Sequence, residues 1–181
     1  MFFTGLGTAV PAKRYTQREC WEALRRSPHY AKLAAPGRAL LDRVLLGEHG
    51  VRTRHLALDD LREGLEIDPD VLYQRFLLHA PELATRAARN ALQQAGLRPQ
   101  DLDAILISTC TGYLCPGLTS YVGERLGLRP DVLALDLVGQ GCGAALPNLR
   151  TAEALLRGSW EHVLSICVEV GSAGLYVDNE V

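Results

Sequence analysis

A chain of 181 residues, 48% hydrophobic and 22% charged, is long enough to bury a core and has the profile of a soluble globular protein. A net charge of −2, without blocks of like charge, excludes nucleic acid as the main partner and argues against a polyanion-binding arm. Met1–Ala12 lacks the basic start of a signal peptide and no later run has the length of a membrane span, so no membrane contact is expected.

Thr4–Val10 is a candidate strand before Pro11. Gln17–Leu24 and Arg38–Leu46 have helical character, and the acidic stretch Asp59–Asp70 reads as a surface connection. Pro81 is placed to open a strong helix, with Leu83, Ala84, Ala87, Ala88, Ala91 and Leu92 on its apolar face and Gly96 as its stop. A turn at Arg98–Asp101 leads into the apolar run Ala104–Thr109, a buried strand. Leu118–Leu126 is a helix capped by Gly127, Val132–Val138 a second strand, Leu149–Leu156 a helix ended near Gly158, and His162–Val168 a third strand. The order β-α-β-α-β, with strands apolar on both faces, predicts an α/β fold with a mostly parallel sheet covered by helices. No repeat, linker or low-complexity tract divides the chain, so residues 1–181 are read as one domain.

Chemistry concentrates at Gly139-Gln-Gly-Cys-Gly-Ala-Ala145, where a strand gives way to a helix. Small residues let the backbone turn sharply and present Cys142. A cysteine there sits near the positive end of a helix dipole, which favours the thiolate, and nearby amides could hold an oxyanion. Free cysteines are also commonly buried packing residues, and Pro147 must either open the next helix or kink it. Position alone leaves nucleophile and packing residue equally open. The five cysteines (Cys20, Cys110, Cys115, Cys142 and Cys167) are odd in number without framework spacing, which reads as free thiols in a reducing cytoplasm. Cys110 and Cys115 lack the second pair that a zinc site needs, so no metal is expected. Asp136 interrupts its apolar strand and reads as a structural hydrogen-bonding residue.

The blocks Cys110-Thr-Gly-Tyr-Leu-Cys-Pro-Gly-Leu118, Arg125-Leu-Gly-Leu-Arg-Pro130, Gly139–Arg150 and Cys167-Val-Glu169, in this order and spacing, resemble the front half of type III polyketide synthases of the chalcone and stilbene synthase kind. The resemblance runs along the whole chain and is stronger to bacterial than to plant members. It implies the N-terminal half of a thiolase-like fold and Cys142 as the acyl-carrying nucleophile. An acyl-CoA starter would load on Cys142, and malonyl-CoA would extend it by decarboxylative condensation, with no cofactor beyond these thioesters. It also implies that Thr111, Cys115 and Glu169 line the substrate cavity, Cys115 from the loop that reaches a partner subunit in family homodimers. On their own, Thr111 and Cys115 read as packing in a Gly/Pro-bounded loop, and Glu169 reads equally as a buried hydrogen-bonding residue. Cys110 falls beside them, and ordinary packing is the preferred reading for it. Coenzyme A would lie along Arg38, Arg43 and Arg52, which on their own read as arginines of a solvated face.

Family chains are about twice this long. Their catalytic histidine, catalytic asparagine and gating phenylalanine belong to blocks outside this sequence, and Tyr176–Val181 falls where the next strand should begin. His29, His49, His55, His79 and His162 do not match the family context and read as structural or surface residues. Alone, these 181 residues are expected to be inactive as a condensing enzyme, because decarboxylation and condensation lose their electrostatic support, while acylation of Cys142 by a reactive thioester stays open. The incomplete domain also leaves a bare sheet edge. The sequence is then a fragment, a split-synthase subunit needing a complementary C-terminal half, or a non-catalytic half-subunit for acyl-CoA binding or scaffolding. An initiating ketoacyl-carrier-protein synthase would place a cysteine similarly.

Overall fold

The computed structural model describes residues 1–47 and 50–175; His49 and Tyr176–Val181, singled out from sequence, lie outside the described residues. The chain gathers into two compact units, one of residues 10–75 with the C-terminal residues from 171, the other of residues 1–9 and 76–170.

In the former, β1 (Arg14–Thr16) pairs antiparallel with β2 (Thr53–His55), Arg14 facing His55. Between them run α1 (Gln17–Arg25), α2 (Pro28–Lys32) and α3 (Ala35–Leu46). Thr16 and Glu19 form a reciprocal capping box at the start of α1, which satisfies backbone donors that the first helical turn leaves orphaned. The Trp21 indole and the Tyr30 hydroxyl both donate to Asp42 Oδ1, at 2.7 and 3.0 Å, tying the three helices together. The acidic stretch read as a connection contains a short 3₁₀ turn, Leu61–Leu65, capped by Asp60.

One expected boundary is corrected by α4 (Pro69–Ala95), which starts twelve residues before Pro81 and carries that proline in its interior. Proline cannot donate to the carbonyl four residues back, a defect costing about 3 kcal/mol in an exposed helix. Here Pro81 is fully buried, as are Phe76, Ala80, Ala84 and Ala88 along the same stretch, and this burial outweighs the lost bond. Gly96, with φ +68°, follows the helix as expected.

The expected strand at Thr4–Val10 is absent: residues 1–9 carry no regular structure. This segment lies against α4, where a Cβ on Gly5 or Gly7 would collide with the carbonyl oxygens of Ala91 and Ala87. Its polar backbone groups pair with helix side chains, Leu6 N–H donating to Gln94 Oε1 and Asn90 Nδ2 donating to the Thr8 carbonyl at 3.0 Å. Side-chain partners replace a strand ladder.

The rest of this unit follows the expected α/β order. β3 (Ala104–Thr109) is central, flanked in parallel by β4 (Leu133–Val138) and β5 (Val163–Cys167), with α5 (Leu118–Leu126) and α6 (Ala145–Leu156) as the crossovers. Thr109 faces Val138 and Ser108 faces Cys167, so all three strands end at one edge. All six residues of β3 are buried, whereas β4 and β5, which flank it, are largely half-exposed. Two-sided burial therefore holds for the central strand alone.

Pro147 opens rather than kinks. It is the third residue of α6, and the first bond into the helix, Asn148 N–H to the Ala144 carbonyl at 3.1 Å, comes after it, so its missing N–H removes nothing. Asp136 is structural as expected: its carboxylate accepts from the backbone N–H of Thr119 at 3.2 Å and from the Thr119 hydroxyl, anchoring the first turn of α5 to β4. Among the described residues no helix is long and apolar enough to cross a membrane.

Candidate active site

The chain reverses out of β4 at Gly139 and Gly141, whose φ values of +76° and +63° side-chain-bearing residues rarely adopt. A single 3₁₀ turn, Gly141–Gly143, then carries Cys142 directly into α6. Cys142 is exposed, as a nucleophile must be and a packing residue need not. It stands at the C-terminal edge of the parallel sheet, where ligands of such sheets commonly bind, next to the N-terminus of a twelve-residue helix.

Cys110, immediately beyond β3, is exposed too, contrary to the packing role expected of it, and its sulfur lies 4.0 Å from that of Cys142. Glu169 supports it from beyond β5. Its carboxylate accepts from the Cys110 backbone N–H at 2.9 and 3.1 Å, from the Thr111 hydroxyl at 2.7 Å and from the Thr109 hydroxyl at 3.3 Å. Thr111 Oγ1 in turn accepts from the Val170 N–H at 2.8 Å, so the segments leaving β3 and β5 are cross-braced. The Glu169 carboxylate, hydrogen-bonded to the thiol, pushes the pKa of Cys110 up to about 11, with partial desolvation and the Cys142 sulfur adding to the rise. At neutral pH Cys110 is a thiol.

A second brace holds α6. Asn148 is completely buried and its Nδ2 donates to the Ile166 carbonyl at 2.8 Å, with Cys167 Sγ at 3.8 Å; its Oδ1 finds no partner among the described residues. Ser108 Oγ lies 3.3 Å from the same sulfur. The turn bearing Cys142 is thus fixed to β4 at one end and to β5 through α6 at the other.

Of the residues expected at the site, the fold brings Cys142, Thr111 and Glu169 to one sheet edge together with Cys110. Cys115 is exposed on the loop between β3 and α5, and no hydrogen bond ties it to this cluster. Arg38, Arg43 and Arg52 belong to the other unit and are exposed there. Arg38 Nε donates to the Leu33 carbonyl at 2.8 Å, and the Arg52 carbonyl accepts from Gln17 N–H at 3.1 Å. His55 Nδ1 lies 2.8 Å from the Pro11 carbonyl, and the backbone N–H of His162 donates to Asp103 Oδ2 at 3.0 Å. No cluster of metal-ligating side chains occurs among the described residues.

Residues 2–178 match the family described as chalcone and stilbene synthases, N-terminal domain. The chain is 34% identical over 178 residues to a 1,3,6,8-tetrahydroxynaphthalene synthase of Streptomyces peucetius, covering 96% of this chain and 45% of that protein. It is 29% identical over 141 residues to a phloroglucinol synthase of Pseudomonas fluorescens, covering 76% and 39%. Among solved structures, a polyketide synthase, PKS-I, from the brown alga Ectocarpus siliculosus superposes with a TM-score of 0.81 at 27% identity, over 94% of this chain and 48% of that one. The type III polyketide synthase domain of Steely1 from Dictyostelium superposes with a TM-score of 0.79 at 27% identity, over 95% and 48%. The fold is therefore that of the N-terminal half of these thiolase-like enzymes, and the chain spans about half the length of these relatives.

Proposed function

We propose a function from the premise that this chain belongs to the chalcone and stilbene synthases, as their N-terminal domain: Cys142 carries an acyl group as a thioester. Its sulfur attacks the carbonyl of an acyl-CoA starter, a new C–S bond forms, and coenzyme A leaves as the thiol. In the complete enzyme, or with a complementary C-terminal half, malonyl-CoA loses carbon dioxide. The resulting enolate attacks the acyl carbonyl, expelling the Cys142 sulfur as the C–C bond forms. That second step builds charge on two carbonyl oxygens and calls for hydrogen-bond donors, which the family supplies from a histidine and an asparagine beyond this chain.

Thr111 and Glu169 border the acyl group and Cys115 contributes from its loop, in the dimer expected of the whole enzyme. Arg38, Arg43 and Arg52 offer cations to the phosphates of coenzyme A. The observation that carries this reading is the placement of Cys142: exposed, on a glycine-flanked turn at the sheet edge, directly ahead of a helix.

The test is intact-mass spectrometry after incubation with acetyl-CoA or hexanoyl-CoA. One acyl group is expected on the wild-type chain and none on Cys142→Ala. A folded wild-type protein that stays unmodified while binding coenzyme A would support a half-subunit that holds acyl-CoA without reacting.

A further inference from the structure

Besides Cys142, the sheet edge holds the exposed thiols of Cys110 and Cys167, which transfer of an acyl group to Cys142 does not need, and the nearer to Cys142 by hydrogen-bond geometry is Cys110. We infer that Cys110 and Cys142 form a reversible disulfide, a redox-modifiable pair that takes the sulfur of Cys142 out of reach of acyl donors. The cross-link is independent of the acyl-carrier role; its consequence for loading rests on that role.

Three observations carry the inference. The two sulfurs are already 4.0 Å apart, and a disulfide requires them at about 2 Å. Both are exposed, so an oxidant reaches them. The turn holding Cys142 is anchored only at its two ends, and among the described residues nothing lies within 4 Å of a Cβ placed on Gly139, Gly141 or Gly143, so its middle has space around it. Cys110, in contrast, is held by the bonds its backbone N–H donates to Glu169. Closing the gap thus falls to the glycine-flanked turn.

The chemistry balances with a peroxide as oxidant. The Cys142 sulfur attacks one peroxide oxygen, the O–O bond breaks and water leaves, giving a sulfenic acid. The Cys110 sulfur then attacks Cys142 Sγ, the S–O bond breaks, and hydroxide departs with the Cys110 proton as a second water. Two thiols lose two electrons in all, and one peroxide becomes two waters. Glu169, whose carboxylate accepts from the Cys110 backbone N–H and raises the pKa of its thiol, is placed to relay that proton. The order follows from the same contact, since the proton held on Cys110 leaves Cys142 to react first.

The experiment treats the chain with one equivalent of hydrogen peroxide at neutral pH and maps peptides without reduction. A 2 Da mass loss is expected for the two thiol hydrogens removed, with a Cys110–Cys142 linked peptide that dithiothreitol separates. Cys110→Ser should instead accumulate the sulfenic acid, trapped by dimedone on Cys142. Acyl loading from hexanoyl-CoA should fall at least about tenfold on oxidation and return on reduction. A peptide linking Cys142 to Cys115 or Cys167, or an intermolecular bridge, overturns the inference. So does Cys142 over-oxidised with Cys110 untouched. If the link forms but the reduced chain never loads an acyl group, the acyl-carrier reading fails and the disulfide stands.

Discussion

Cys110 and Glu169 are fifty-nine residues apart in the chain and meet because β3 and β5 are register-matched neighbours that end together. The pair makes a pH prediction. The ionised form of Cys110 would face a carboxylate, so its folded pKa lies at about 11, above the ordinary thiol value of about 8.5. Between those values the folded chain keeps a proton that the unfolded chain has lost, so this contribution to stability is intact below pH 8.5 and drains away as pH rises through 11. Alkylation of Cys110 by iodoacetamide, followed by peptide mapping, should show a midpoint near 11. Glu169→Gln should bring that midpoint down towards the ordinary thiol value, and an unchanged midpoint would show that the carboxylate is not its cause.

At the scale of elements, Asp136 links β4 to α5, and its loss should be felt as a displaced helix start. Asp136→Ala leaves the buried Thr119 N–H and hydroxyl without an acceptor, which should cost about 1–3 kcal/mol in urea unfolding. Asp136→Asn retains an acceptor and should cost less. The role of Asp136 was readable because one carboxylate inside Leu133–Val138 has no reason to be there unless something pairs with it. A related logic made β3, α5 and β5 legible: β3 and β5 are short apolar runs, and α5 is an apolar helical repeat stopped by Gly127. Thr4–Val10 was not legible, since its alternating small and apolar residues suit a strand as well as an extended segment against a helix, and only the close approach to Ala87 and Ala91 decides between them. Pro81 misled for a related reason. A proline marks a boundary by local propensity, and burial of Phe76, Ala80, Ala84 and Ala88 overrides it. At the site, the glycine-flanked turn that sets Cys142 between a strand and a helix was legible, but the exposure of Cys110 and the bracing by Asn148 were not. Both follow from strand register, which a single sequence does not specify, although Cys110 and Gly139 each stand one residue past the ends of paired strands.

Across the whole molecule, each unit carries, among the described residues, one strongly acidified carboxylate made by its own short-range partner. In one, Asp60 is held at about 2, chiefly by the hydrogen bond from the Arg62 side chain at 2.8 Å and then by the Arg62 backbone N–H. In the other, Asp101 is held at about 2 by the Arg98 side chain first and the Arg98 backbone N–H second. Both folded values lie below the unfolded carboxylate value of about 3.9. The folded chain therefore releases these protons more readily, and the associated stability is complete above about pH 5 and lost as pH falls towards 2. Because each partner is only two or three residues away, part of each interaction survives in the unfolded chain, and exposure to solvent weakens what remains. The expectation is accordingly a shallow decline in urea midpoint between pH 5 and pH 2, common to both units. In Asp60→Asn or Asp101→Asn the decline should shrink. Carboxyl ¹³C titration gives the direct check: midpoints near 2 for both residues bear the argument out, and midpoints near 4 would show that neither arginine holds its partner in solution.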